Sequence, residues 1–289
     1  MYHCSIIIPA HNEGAVIRRT LEALLEGLPS DGVEVLVVCN GCSDDTAARA
    51  REVGGPVRVI EIVTASKTAA LNEGDRQARW FPRIYMDADV RMKGCDVVKL
   101  VRYMQEHQVP AAAPRAVMAM EHASWPVQAY YRMWFSLPYI RAGMVGCGVF
   151  ALSEAGRARF GEFPSITADD GFVRFHFQDH ERPVVEDCPV IVTAPASLKG
   201  LLAIKTRSRF GTLELRRRFP TLGTEQQVKR NRLTLLRTIA TRPDLWLALP
   251  VYLGVVGWTH LQSHRRLAQQ NNGVPWSRDE SSRQTIAST

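Results

Sequence analysis

An α/β architecture with a mostly parallel sheet and helices on both faces is what this chain predicts, and three features carry it. Four apolar, β-rich runs recur in the first 90 residues: SIIIP (5–9), VEVLVVC (33–39), VRVIEIV (57–63) and RIYMD (83–87). The segments between them have helical spacing; in the first, Val16, Ile17, Leu21, Leu24, Leu25 and Leu28 fall on one face. Such βα repeats argue for parallel strands covered on both sides. Third, the polar residues that look chemical stand just after the strands, where sheets of this kind bind ligands.

After the first strand come His11, Asn12 and Glu13. After the second comes VCNGCSDDT (38–46), in which Cys39 and Cys42 form a CxxC. Such a pair belongs to a redox centre, to half of a zinc site, or simply to a strand-to-helix turn. No second cysteine pair or histidine ligand lies near it in sequence, Gly41 permits a tight bend, and Ser43 or Asp44 is available as a cap. The third strand leads to SKTAALNEG, where Lys67 opens a helix. A lysine and a helix N-terminus together suit an anion, and a solvated surface lysine is the plainer reading.

At the fourth strand, YMDADV (85–90) sets Asp87 and Asp89 one residue apart. In an extended segment both carboxylates face one side and suit Mg²⁺ or Mn²⁺; a turn or helix cap is the alternative. Beyond this point the pattern is mixed, with helical stretches at 95–107 and 123–140, a glycine-rich strand GCGVF (146–150) and a strand at 183–193. TADDGF (167–172) supplies a second acidic pair, Asp169 and Asp170, either to take a proton or to open the helix that holds Phe172, Val173 and Phe175.

From Ala196 the chain reads as helices, with Thr224 and Gln227 as a capping box. The apolar run Leu245 to Trp258 is too short to span a bilayer and is broken by Pro250. It reads equally as a buried helix or as an interfacial one carrying Trp246, Tyr252 and Trp258. The segment 269–289 is polar and is expected to be disordered.

The chain of 289 residues, 46% hydrophobic and 22% charged, has the composition of a globular protein with a large core. The net charge of +7 is uneven, since Arg207, Arg209, Arg216, Arg217, Arg218, Lys229, Arg230, Arg232, Arg237, Arg265 and Arg266 crowd the last third. That asymmetry suits an anionic partner such as a membrane surface or a diphosphate, or else solvated helix faces. No nucleic-acid motif accompanies it, so no nucleic-acid partner is expected. Six scattered cysteines and an N-terminus without a basic-then-apolar leader point to a reducing, cytoplasmic setting.

Together these motifs resemble family 2 glycosyltransferases of the GT-A fold, from about Ser5 to Phe210. SIIIPAHNEG is similar to the opening strand with P-x-[HYF]-N-E. VVCNGCSDDT follows the second-strand motif, KTAALNEG the K-x-x-ALN-x-G segment, and DAD at 87–89 the strand-borne DxD. GCGVF followed by TADD is similar to the glycine-rich strand and the acidic pair. The resemblance implies a GT-A domain over 1–200, with a nucleotide-binding half at 1–90 and an acceptor half at 91–200, and a basic and apolar helical extension over 201–268.

It further implies a nucleotide-diphospho-sugar donor held by Pro9, His11, Glu13, Asn40, Asp45, Lys67, Asn72, Asp87 and Arg209. A divalent cation, Mn²⁺ or Mg²⁺, would sit on Asp87 and Asp89. Asp170, beside Asp169, is the implied base that takes the proton of an acceptor hydroxyl, with inversion. Cys39 and Asn40 stand where many members carry an acidic base reader. Thr206, Arg209 and Phe210 replace the QxxRW of processive members, so transfer of a single sugar is expected, to a glycan, a small molecule or a lipid-linked acceptor at the inner membrane face. Two alternatives are a binding protein without turnover and a sugar-nucleotide pyrophosphorylase. The latter needs a glycine-rich basic loop after the first strand, where AHNEGAVIRR has one glycine.

Overall fold

The computed structural model describes residues 3–137, 140, 144, 146–222 and 242–269. The Thr224/Gln227 capping box, the basic residues Lys229, Arg230, Arg232 and Arg237, and the tail beyond Gln269 lie outside the described residues. The chain divides into two compact units. One is drawn from Met1–Met118, Gly143–Ser165 and His176–Val192, the other from Ala119–Ala142, Ile166–Phe175 and Thr193–Thr289.

The first unit holds a seven-stranded sheet: β1 (Cys4–Ala10), β2 (Val33–Asn40), β3 (Val57–Ile62), β4 (Arg83–Met86), β5 (Ala111–Ala119), β6 (Val149–Leu152) and β7 (Val184–Thr193), in the order β3-β2-β1-β4-β6-β5-β7. β1 runs parallel to β2 and β4, β2 runs parallel to β3, and β6 is antiparallel to both β4 and β5. β1 is buried along its whole length, as a strand covered on both faces must be, which is why it reads as a near-continuous apolar run. The connections α1 (Ile17–Leu25), α2 (Thr46–Val53) and α3 (Lys67–Gln77) are helical, and Ile17, Leu21 and Leu24 of α1 are buried as their spacing predicts. The order reverses about β1, whose neighbours are β2 and β4. The carboxyl ends of these strands flank the crevice in which open α/β sheets take ligands.

β5 has no counterpart among the strands that the sequence predicts. Its AAAPRAVMA is rich in alanine and contains Pro114, residues depleted from strands. Registered pairing with β6 covers only Ala111 and Ala112, so Pro114 stands outside that ladder and its missing N–H costs nothing there. α4 (Gly94–His107) and the short α6 (Glu154–Arg157) complete the unit.

The second unit contains α5 (Trp125–Phe135), α7 (Asp169–Arg174), α8 (Leu198–Arg218) and α9 (Leu249–Gln269). α8 begins at Ser197, whose hydroxyl accepts the Gly200 N–H at 3.2 Å. The apolar run at 245–258 enters α9, and Pro250 sits in its first turn, where no intrahelical donor is needed. The two readings of this run divide between its residues: Tyr252 is buried and stacks on Tyr130 of α5 at 5.5 Å, whereas Trp246 and Trp258 are exposed. No described helix is long and apolar enough to cross a membrane.

Candidate active site

The ends of β1 and β2 are knitted into one platform. Ala10 is registered with Cys39, and the Asn40 amide donates to the Ala10 carbonyl at 2.9 Å while the His11 ring bonds the Asn40 carbonyl. Asn12 takes the left-handed conformation, with φ of 53°, and its side-chain oxygen accepts the Ser43 N–H at 2.8 Å. Glu13 is buried, and its N–H donates to the Thr46 hydroxyl at 2.8 Å. Pro9 is buried in β1, beyond the last β1–β4 pair at Ile7 and Tyr85.

Asp44, absent from the sequence-level site, holds this platform together. It accepts the N–H of Gly14 at 3.0 Å and that of Thr46 at 3.1 Å. Burial pushes the Asp44 carboxyl up. Hydrogen bonds from the Thr46 hydroxyl and the Gly14 and Thr46 N–H groups outweigh burial and hold it below the usual carboxylate range. Asp45 is exposed at the N-cap position of α2 and pairs with Arg49 at 2.7 Å.

Neither cysteine of the CxxC is disulfide-bonded. Burial, together with Cys42 and Glu61, pushes the Cys39 thiol up to about 12, far from a reactive thiolate. The Cys42 sulfur lies 3.4 Å from both the Asn12 N–H and the Ala10 carbonyl, so it packs the turn.

At the fourth strand one expectation is corrected. β4 ends at Met86, and Asp87 and Asp89 lie in a turn, not on an extended segment. Tertiary contacts hold that turn: the Asp87 N–H donates to the Gly148 carbonyl at 2.8 Å, and the buried Thr20 hydroxyl of α1 donates to the Ala88 carbonyl at 2.8 Å. Gly148 has φ of +64°, and a Cβ there would stand 2.8 Å from Val90 and 3.0 Å from the Asp87 carboxylate. GCGVF therefore presses backbone against the acidic turn, with β6 itself beginning at Val149.

Lys67, the first residue of α3, places its Nζ 2.7 Å from Asp87 Oδ1, and both side chains keep more than a third of their surface in solvent. Ser66 caps the same helix by accepting the Ala69 N–H at 3.3 Å. Arg19 lies in the fields of Asp89 and Arg91: burial and Arg91 pull its guanidinium down, while Asp89 pulls it up. Nothing in sequence marks these two arginines, since neither belongs to a motif.

Among the described residues no cluster of three or more His, Cys, Asp or Glu is placed to hold a metal ion. Asp87 and Asp89 offer hard oxygen donors from one short turn. That fits Mg²⁺ or Mn²⁺, which complete their shells with water and phosphate oxygens. Asn72 serves its own neighbourhood, since its amide nitrogen donates to the Phe163 carbonyl at 3.0 Å and its oxygen accepts the Phe163 N–H at 2.7 Å.

In the second unit, Asp169 is buried and Asp170 exposed at the start of α7. The Asp170 carboxylate accepts the Gly171 N–H at 2.7 Å. α8 fixes the preceding loop, because the Glu214 carboxylate accepts the Thr167 N–H at 2.9 Å and a Cβ on Gly211 would meet Ala168 at 3.0 Å. Arg209 of α8 donates to the ring of His260 on α9, and Thr206 is buried.

The parallel strands, the reversal about β1 and the helices on both faces match the GT-A fold. The chain belongs to glycosyl transferase family 2, whose model matches residues 5–157, just over half of it. That match ends before Asp169, Asp170 and Arg209. Over 93 residues the chain is 34% identical to a probable glycosyltransferase, YdaM, of Bacillus subtilis; the match takes in 29% of this chain and 22% of the relative's length.

Among solved structures, it resembles the mannosyltransferase PcManGT from Pyrobaculum calidifontis, in complex with GDP-Man and Mn²⁺, with a TM-score of 0.62 at 18% identity over 93% of this chain and 79% of the other. It also resembles glucosyl-3-phosphoglycerate synthase from Mycobacterium tuberculosis, in complex with Mn²⁺, UDP and phosphoglyceric acid, with a TM-score of 0.55 at 18% identity over 75% and 78% of the two chains. At such identities the likeness is one of fold.

Proposed function

We propose that this glycosyltransferase moves a single sugar from a nucleotide-diphospho-sugar to a hydroxyl acceptor, with inversion at the anomeric carbon. The observation that carries the reading is the grouping of His11, Glu13, Asn40, Lys67, Asp87 and Asp89 at the carboxyl ends of β1, β2 and β4 and the start of α3, with Lys67 and Asp87 2.7 Å apart. Pro9, His11, Glu13, Asn40 and Asp45 line the nucleoside side, with Asn40 acting through the backbone it ties to β1. Lys67 and the N-terminus of α3 face the diphosphate.

Asp87 and Asp89 would hold a divalent cation, which supplies positive charge to the leaving diphosphate. Asp170, exposed beside buried Asp169, takes the proton of the acceptor hydroxyl. The acceptor oxygen forms the new bond to the anomeric carbon as the bond from that carbon to the phosphate oxygen breaks, and the nucleoside diphosphate leaves with the bonding pair. Asn72 holds the Phe163 backbone, so it is proposed to support the donor site through that neighbour.

A membrane surface is the proposed setting of the acceptor. Its support is the outward face of α9 and the turn before it, where Trp246, Leu247, Trp258 and Leu261 are 59%, 81%, 51% and 48% exposed beside exposed Arg265 and Arg266. The test of the function is a panel of nucleotide-sugars with Mn²⁺ or Mg²⁺ read by thermal shift, followed by transfer assays with the stabilising donor. A donor that raises the melting temperature and is turned over is expected. Donor binding without transfer or hydrolysis across the panel would favour a binding protein.

A further inference from the structure

We propose that Lys67 makes cation binding at Asp87 and Asp89 depend on the donor: its ammonium competes with a divalent ion for Asp87 until a diphosphate draws it away. The inference rests on the metal reading given above and adds a binding order to it.

The Lys67–Asp87 contact is close, at 2.7 Å, and the exposure of both side chains keeps it exchangeable. Exposed pairs of this kind are weak, worth at most about five-fold in an equilibrium, enough to handicap a weak metal site and too little to resist a diphosphate. The two partners differ in freedom. Asp87 follows β4 in a turn pinned by Gly148 and Thr20, whereas Lys67 is a point charge on a flexible four-carbon stem. When the pair opens, the lysine therefore swings and the carboxylate stays.

The first turn of α3, capped by Ser66, adds its positive field to that of the ammonium, and both favour an arriving phosphate. On the other side Arg19 interacts with Asp89, so the second carboxylate also has a cation of the protein acting on it. Two such carboxylates, with no third acidic, histidine or cysteine ligand among the described residues, make a poor cage for an ion by themselves. A donor diphosphate changes both terms, because it supplies phosphate oxygens to the ion and relieves Asp87 of Lys67. By linkage the nucleotide then raises metal affinity and the metal raises nucleotide affinity by one and the same factor.

The test is Mn²⁺ binding to the full chain, followed by the electron paramagnetic resonance of free Mn²⁺, alone and with GDP or UDP. Lys67→Met should bind Mn²⁺ alone more tightly than the parent, on the order of two- to five-fold, from removal of the competing charge. The nucleotide should then enhance its metal binding less than it does the parent's, with the share from the phosphate oxygens remaining, while Lys67→Arg keeps the parent's behaviour. Lys67→Gln serves as a second neutral variant, and melting curves check that each is folded. Should the neutral variants bind Mn²⁺ no better than the parent while Asp87→Asn weakens it, the gating role is wrong and the metal site stands. Should Asp87→Asn and Asp89→Asn leave Mn²⁺ binding with either nucleotide unchanged, the metal reading itself fails, and the gate with it.

Discussion

The carboxylate of Glu214 accepts the backbone N–H of Thr167 at 2.9 Å, so helix α8 grips the chain two residues before the acidic pair Asp169–Asp170. Breaking one side of such a bond leaves a poorly solvated N–H and costs about 1–3 kcal/mol. Glu214→Ala should lower kcat on the order of ten-fold with donor KM unchanged, since a displaced base costs rate and not donor contacts. Glu214→Gln, which keeps an acceptor oxygen, should recover most of the loss.

Asp170→Asn is expected to cut transfer by about 10²–10⁴-fold, the usual share of a general base, while leaving donor binding intact by calorimetry. Retention of full transfer to a genuine acceptor would show that another group takes the proton.

Gly148→Val places a Cβ against Val90 and the Asp87 carboxylate in a backbone conformation that branched residues avoid. A loss of about 1–3 kcal/mol in stability is expected, with weakened Mn²⁺ binding in the presence of nucleotide. Thr20→Val, which removes the hydrogen bond to Ala88, should act in the same direction and more mildly. Equal melting temperatures for the parent and Gly148→Val would contradict the close packing of this turn.

Lys205 of α8 sets its nitrogen 3.9 Å from the ring centre of Trp134, 4.9 Å from that of Tyr131 and 5.3 Å from that of Tyr130. Burial pushes its amine down to about 7 from 10.5, against the pull of the three rings for the ammonium. Between those values the unfolded chain binds the extra proton, so stability should rise as pH increases from about 7 toward 10.5. Urea melts across that range should show the rise in the parent and a flatter profile in Lys205→Met.

Trp258→Glu combined with Leu261→Glu puts two charges on the outward face of α9. Sedimentation with phosphatidylserine-containing vesicles should show binding by the parent and its loss in the double variant, with soluble-donor binding unaffected. Binding by neither protein would remove the membrane from the proposal.

Much of the first unit is legible in sequence because its parallel strands are buried on both faces and so read as apolar runs, each followed by the polar turn that carries chemistry. The runs at 5–9, 33–39 and 57–63 match β1, β2 and β3 to within a residue at each end. The Asp87–Asp89 pair is visible as a pattern, yet its geometry is not: periodicity extends the strand through Asp87, while Gly148 and Thr20, 61 residues after and 67 before it in the chain, hold a turn there. β5 stays hidden because alanine and proline carry almost no strand signal and its place depends on β6 and on the Ala113 bond to Pro183.

By itself, then, the sequence determined the order of strands and helices, the family and the candidate residues, since these follow from local periodicity and short motifs. Tertiary structure alone decided how those residues are engaged: that Lys67 pairs with Asp87, that Asn72 holds Phe163, that Tyr252 turns inward to Tyr130, and that Asp44 ties the two nucleotide-side loops together. Each of these contacts joins positions separated by many residues of chain. Hydrogen bonds and ion pairs of that range are set by which surfaces the folded backbone brings within about 3 Å, a quantity no local pattern encodes.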